Sequence, residues 1–165
     1  FPLAFSMAFG GKARTDKSQL RGAENNADVG YIIVDKYGRR YTNENFRSHT
    51  VYYELAHFDS RRLEYPRVPS YCIFDRRRLA AGSFSRRGMC GPHQIYKWSL
   101  DNGAELRKGW IVGGETPGAL AGRIGCEAST FEETVGRWNR FCAGGIDQEF
   151  GRNPQDLVPG ADLKK

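Results

Sequence analysis

An α+β domain, with a small antiparallel or mixed sheet and three to four helices packed on it, is what the sequence predicts. Three observations carry that expectation. A β-branched and aromatic run at residues 29–35 turns back on itself, and a second apolar run at residues 70–75 follows two prolines. The last third holds two helical stretches with clear start and stop signals. A length of 165 residues fits one such domain with a core of its own. With 10 Phe, 8 Tyr and 3 Trp, the chain has the apolar surface that disordered chains lack. No run approaches the ~18 uncharged apolar residues of a membrane span, and the first five residues do not form a signal peptide.

Residues 1–28 mix Phe, Gly and polar residues without periodicity and read as a loop-rich, extended N-terminal segment. Residues 29–35 read as a strand, Lys36-Tyr37-Gly38 as a tight turn, and residues 39–42 as the returning arm of a hairpin. Apolar positions 51, 52, 55 and 58 recur at helical spacing, which predicts a helix over residues 48–58 capped by Ser48 or Asn45. Pro66 and Pro69 keep the next stretch non-helical ahead of the strand at residues 70–75. Residues 76–97 lack periodicity and contain Gly82, Gly88, Gly91 and Pro92, a long loop. A short helix opens near Ser99 and ends near Gly109. Thr116-Pro117 starts a helix that Gly125 closes, and Ser129 with Glu132 reads as a capping box for a helix stopped by Gly144-Gly145.

The formal net charge of +6 is local. Residues 61–87 hold eight Arg against Glu64 and Asp75, and the rest of the chain balances at 17 basic and 17 acidic residues. Such a cluster suits a solvated loop, a nucleic acid, an anionic substrate or an acidic partner. A basic nucleic-acid-binding module is the competing function class, although no RRM, KH or helix-turn-helix pattern supports it.

Cys72, Cys90, Cys126 and Cys142 are separated by 18, 36 and 16 residues, with no C-x-x-C pair. This argues against a metal site and for reduced thiols in a cytoplasmic setting. Gly113-Gly114-Glu115-Thr116-Pro117-Gly118 does not match G-x-G-x-x-G and serves better as a helix cap. Neither a phosphate-binding loop nor G-x-S-x-G is present, so the chain carries no nucleotide-binding core of its own. His49 and His57 stand eight apart and would share a helix face. The densest polar cluster at an element junction is residues 43–49, where Arg47 and His49 face a pocket or simply flank a cap.

Three stretches, in order, resemble one family. Tyr31-Ile32-Ile33-Val34, followed by Gly38-Arg39-Arg40-Tyr41-Thr42-Asn43-Glu44, resembles the "ivn-x-x-G-k-R-F-x-N-E" hairpin of FAD-dependent fumarate reductases and 3-ketosteroid dehydrogenases. Asp101-Asn102-Gly103-Ala104-Glu105-Leu106-Arg107-Lys108-Gly109-Trp110-Ile111 is similar to their "DN-x-x-E-i-x-k-G-w-i". Thr134-Val135-Gly136-Arg137-Trp138-Asn139-Arg140-Phe141-Cys142, running on to Gly145, Asp147, Phe150 and Arg152, is similar to their "T-v-x-r-y-N-x-f-c-x-x-G-x-D-x-x-F-g-R". The resemblance covers roughly residues 29–157.

In that family these stretches form the cap, or substrate-covering, domain inserted into an FAD-binding domain. The resemblance therefore implies that residues 1–165 are a cap domain excised from a larger protein. Its partners would be the FAD-binding domain of the same parent protein and a small carboxylate or ketone substrate of succinate, tricarballylate or ketosteroid type. FAD would be bound mainly outside this chain, and nucleic acid would not be a partner. A cap-domain Arg a few residues after the hairpin's "N-E" donates a proton in the fumarate reductases. Arg47 matches it, one residue closer, and the stretch also resembles the "f-R-n-y-T-y" of tricarballylate dehydrogenase relatives. Ketosteroid dehydrogenases use a cap Tyr as base, which points to Tyr53 beside Tyr52, with His49 as a third candidate. Arg21 of Arg21-Gly22 matches an Arg-Gly that clamps a carboxylate, although Ser18-Gln19 stands where the family has Thr-Glu.

Overall fold

The computed structural model describes residues 4–9, 30–44, 50–80, 82 and 99–152, with the backbone alone given at residues 4–9 and 50–52. Four strands form one sheet: β1 (Ala4–Phe9), β2 (Tyr31–Val34), β3 (Ser70–Asp75) and β4 (Ile111–Gly114), in the order β2-β3-β1-β4. Every pairing is antiparallel, with Ile32 opposite Ile73, Met7 opposite Cys72, and Ser6 opposite Val112. Five helices occur among the described residues: α1 (Thr50–Leu55), α2 (Arg76–Ala80), α3 (Gly103–Arg107), α4 (Pro117–Ile124) and α5 (Ala128–Gly144). The α+β class thus holds, with the sheet antiparallel.

β2 and β3 form where their local sequence favours them, since β-branched and aromatic side chains suit a pleated surface buried on one face or both. Ile32, Val34 and Ile73 pack with Leu120 and Ala121 of α4 and with Phe131, Trp138 and Cys142 of α5. Tyr31, Ile33, Cys72 and Phe74, at the alternate positions, are buried as well. Full burial of a side chain such as Phe131 contributes about 1.5–3 kcal/mol of transfer free energy. Gly114 lets α4 approach β4 closely: a Cβ there would lie 2.6 Å from the Leu120 amide nitrogen. Gly38, at φ +82°, turns the chain after β2 and lies against Phe131.

Helix ends follow the local chemistry, with one exception. Thr116 Oγ1 accepts from the Ala119 amide at 3.1 Å, Pro117 opens α4, and Gly125 ends it at φ 76°. Gly145, at φ 69°, ends α5. The expected Ser129–Glu132 capping box does not form. Glu127 caps α5 instead, its carboxylate accepting from the amides of Ser129 (2.9 Å) and Thr130 (2.6 Å). Side-chain hydrogen bonds from Thr130 and Ser129, with those amides, bring the Glu127 carboxyl down to about 2. A carboxylate with two oxygens serves two orphan amides at once, so the helix begins one residue before Ser129.

Other differences arise from tertiary contacts. The N-terminal segment, extended in the sequence reading, contributes β1 as an inner strand of the sheet. Its six residues include no β-branched side chain, and it holds its place through ladders on both sides. β4, which ends in two glycines, also carries little local signal. The returning hairpin arm shrinks to a single bridge, Val34 to Arg40, beside the bond from the Asp35 amide to the Arg39 carbonyl at 2.9 Å. Of the helix expected over residues 48–58, the described part runs Thr50–Leu55, so His57 lies beyond its end; the Ser48 or Asn45 cap lies outside the described residues. The start of the expected loop at residues 76–97 forms α2, whose Arg78 amide donates to Asp75 Oδ1 at 2.9 Å.

Candidate functional site

Among the described residues, a buried polar assembly joins the hairpin to the turn after α5. Arg40 and Glu44 are four residues apart at the end of the hairpin, and Asp147 and Arg152 belong to the turn. All four are buried, with Glu44 and Arg152 each only 1% exposed. Arg40 Nε donates to Glu44 Oε1 at 2.8 Å, and Arg40 Nη2 donates to Glu44 Oε2 and Asp147 Oδ2, both at 2.7 Å. Arg152 Nη1 lies 3.3 Å from Glu44 Oε2. The Arg40 guanidinium sits between the rings of Trp138 (4.7 Å) and Phe150 (5.0 Å). Burial pulls the Arg40 pKa down, but the bonds to Glu44 and Asp147 outweigh it and hold the group charged. Two cations and two carboxylates make the assembly formally neutral, which is the condition for keeping such charges out of water.

The same side chains finish the sheet edge. β2 is an edge strand, and an open edge leaves backbone groups without ladder partners. Here the Ile33 amide donates to Glu44 Oε1 at 3.1 Å, and Arg152 Nη1 donates to the Tyr31 carbonyl at 2.7 Å. Asn43 Nδ2 adds a bond to the Phe150 carbonyl at 3.1 Å. Asp147 organises its own turn by accepting from the amides of Glu149, Phe150 and Arg152 at 3.0–3.2 Å. Motif residues that resemble a family signature are thus structural here: they fasten Glu44, the last described residue before residues 45–49.

Burial works to raise the Asp147 carboxyl, yet the Arg40 bond and the backbone amides prevail and bring it from 3.8 down to about 2. A carboxyl depressed on folding contributes stability that is complete above its unfolded value and is lost as pH falls through its folded value. We therefore expect Asp147→Asn to be less stable than the wild type by about 2 kcal/mol at neutral pH. That difference should shrink between about pH 4 and about pH 2. Urea denaturation at stepped pH measures it, and a constant gap down to the acid limit would contradict the ion-pair assignment.

Among the sequence-predicted site residues, Arg21, Arg47 and His49 lie outside the described residues. Tyr53 projects from α1 with 81% of its surface exposed. Next to it, Glu54 is paired with Arg67, whose guanidinium also lies over the Tyr41 ring at 4.7 Å. Sequence reasoning did not single out Arg40, Glu44, Asp147 and Arg152 as a unit. The i,i+4 spacing of Arg40 and Glu44 was the one local signal, whereas Arg40 and Asp147 are 107 positions apart.

The basic segment is divided by the fold. Arg78 is fully buried, Arg67 is paired with Glu54, and Arg77 with Asp75, while Arg61, Arg62 and Arg76 are exposed. Arg86 and Arg87 lie outside the described residues. Arg62 rests over the Tyr37 ring at 5.2 Å, and the Tyr37 hydroxyl bonds Glu64, which also holds Lys36 at 2.5 Å. These pairings spend several of the charges on internal contacts. Burial pushes the Cys72 thiol up to about 12 and those of Cys126 and Cys142 up to about 11. Unreactive thiols of this kind act as small apolar side chains. No group of metal-binding side chains occurs among the described residues, and no described helix is long and apolar enough to cross a membrane.

No family model matches the chain. Individual relatives do. It is 30% identical over 129 residues to a 3-oxosteroid 1-dehydrogenase of Mycobacterium tuberculosis, a match covering 74% of this chain and 21% of the relative. It is 28% identical over 153 residues to a digoxin reductase of Eggerthella lenta, covering 89% of this chain and 25% of the relative. A 4-oxocyclohexanecarboxylate 2-dehydrogenase of Sinomonas cyclohexanicum is 27% identical over 124 residues, covering 74% of this chain and 19% of the relative. The chain therefore spans between 19% and 25% of the length of these dehydrogenases and reductases.

Proposed function

We propose that the chain is the substrate-covering domain of a flavin-dependent oxidoreductase that removes or adds hydrogen across a C–C bond beside a carbonyl or carboxylate. The observation that carries this reading is the similarity to parts of several dehydrogenases and reductases, the named substrates of two of them being an oxosteroid and an oxocyclohexane carboxylate. Two of the three family-like stretches support it by meeting in one buried cluster, as parts of a single folded unit would.

The described residues do not fit FAD as its main holder. Thr116 Oγ1 already takes the Ala119 amide at the start of α4, and Leu120 fills the space beside Gly114 where a phosphate cradle would need room. The cofactor would sit in another part of the parent protein, and this chain's share is to cover the substrate, exclude water and handle a proton. Arg47 is the first candidate for that proton, Tyr53 the second and His49 the third, with Arg21 holding a substrate carboxylate. The wide exposure of Tyr53 suits a side chain covered only when the domain meets its partner.

The test is to express both the isolated chain and the full reading frame that contains it. The longer protein is expected to carry bound flavin and to oxidise 4-oxocyclohexanecarboxylate or a 3-oxosteroid with a dye as acceptor, while the isolated chain does neither. A full-length protein that purifies folded and flavin-free would overturn the reading.

A further inference from the structure

Between α1 and β3 the chain doubles back on itself. The Asp59 amide donates to the Glu64 carbonyl at 2.8 Å and the Glu64 amide to the Asp59 carbonyl at 3.3 Å, closing a tip of residues 60–63. Asp59 Oδ1 also accepts from the amides of Arg61 at 2.9 Å and Arg62 at 3.2 Å, which fixes the tip from inside. Leu63 ends the tip at φ 55°, a left-handed conformation that strains a bulky side chain and that Gly or Asn adopts more readily. Its side chain is 77% exposed. Leu63 is therefore unfavourable twice over in the fold by itself, once in its backbone and once in the apolar surface it leaves in water. Phe58 and Tyr65, the pair just outside the Asp59–Glu64 bridge, are exposed too, their ring centroids 5.1 Å apart.

The charges on this tip are sorted. Arg61 and Arg62 are exposed, and Arg62 lies over the Tyr37 ring at 5.2 Å. Both carboxylates are half-buried and engaged, Asp59 by the tip's own amides and Glu64 by Lys36 and the Tyr37 hydroxyl. The outward surface is thus apolar and cationic. An anionic bilayer is its complement on both counts, since acyl chains lie directly beneath negative headgroups. An acidic protein surface would match the arginines but would meet Leu63 with the carboxylates that an apolar side chain avoids.

We propose that residues 58–65 are a docking surface for an anionic lipid bilayer. Leu63 enters the acyl boundary, Phe58 and Tyr65 rest at the level of the headgroups, and Arg61 and Arg62 pair with lipid phosphates. The backbone bonds that hold the tip in advance keep the ordering cost of docking small. So few anchoring side chains make a weak and reversible attachment that stays at the surface. Each arginine at such a surface strengthens binding about 5-fold. The inference does not depend on the flavoenzyme reading, because it uses none of the residues assigned to the chemistry.

The experiment measures co-sedimentation of the full-length protein with vesicles of phosphatidylcholine alone or of phosphatidylcholine and phosphatidylglycerol in equal parts. The wild type is expected to bind the anionic vesicles, less so at high salt, and to bind phosphatidylcholine alone far more weakly. Arg61→Gln combined with Arg62→Gln should weaken binding about 10- to 30-fold. Leu63→Asn should weaken it about 10-fold. Its melting temperature should nevertheless hold or rise, because asparagine tolerates the left-handed backbone. Phenylglyoxal should modify Arg61 and Arg62 readily without vesicles and more slowly with anionic ones, as read by mass spectrometry. A wild type that ignores anionic vesicles overturns the proposal, as does either variant binding like the wild type. Leu63→Asn melting well below the wild type would make Leu63 a structural residue and overturn its docking role. Arginines already shielded without vesicles would mean that another part of the protein covers the tip. A wild-type dimer that Leu63→Asn turns into monomers, seen by light scattering, would give the tip to a second copy; either result overturns the lipid assignment.

Discussion

Arg40→Met is expected to cost the fold about 3–5 kcal/mol, because it leaves buried carboxylates without their principal cation. Glu44 would keep the Ile33 amide and the longer contact to Arg152, and Asp147 would keep only backbone donors. Methionine retains apolar volume between Trp138 and Phe150, so the loss would report charge rather than packing. Against a typical stability of about 5–15 kcal/mol this is a large fraction. The melting temperature should drop on the order of 10 °C. Urea denaturation measures the loss directly, and a change below about 1 kcal/mol would show that Arg40 is not the keystone of the cluster. The double variant Arg40→Met, Asp147→Asn should recover part of the loss, since it removes one stranded carboxylate and leaves Glu44 paired with Arg152.

Arg47→Ala carries the largest expected effect on activity. If Arg47 handles the proton in the full-length oxidoreductase, turnover should fall about 10²- to 10⁴-fold, the usual contribution of a positioned acid or base. Bound flavin and melting temperature should stay near those of the wild type, since a loss confined to the chemical step leaves the fold and the cofactor site intact. Arginine has a free pKa above about 12, so its use as an acid requires surroundings that favour proton loss. Tyr53→Phe and His49→Asn made in parallel separate the candidates: whichever variant loses turnover while keeping flavin identifies the group. Unchanged turnover in Arg47→Ala removes that residue from the mechanism.

What could be read from the sequence was whatever depends on neighbours in the chain. β2 and β3 announce themselves through β-branched and aromatic runs, and α4 through Thr116, Pro117 and Gly125 within one short window. The α5 cap shows where local rules compete. Ser129 and Glu132 satisfy the capping-box spacing, yet Glu127, two residues before Ser129, accepts from the Ser129 and Thr130 amides and the helix forms around it. The candidate site was legible only as a motif. Arg40, Glu44, Asp147 and Arg152 all fall inside the family-like stretches, but nothing local says that they meet each other rather than a substrate.

By itself the sequence determined the α+β class, the strands β2 and β3 and the helix α4, and the absence of a nucleotide-binding motif. Those follow from side-chain periodicity and backbone preferences that act over a few residues. Only the tertiary structure decided that Ala4–Phe9 is an inner strand, that side chains of Glu44 and Arg152 complete the β2 edge, and that one arginine joins Tyr41 to Glu54. Each of those depends on groups far apart in the chain. Their energies come from leaving water together, and a buried charge or open strand edge chooses its partner only once the fold has brought that partner within reach.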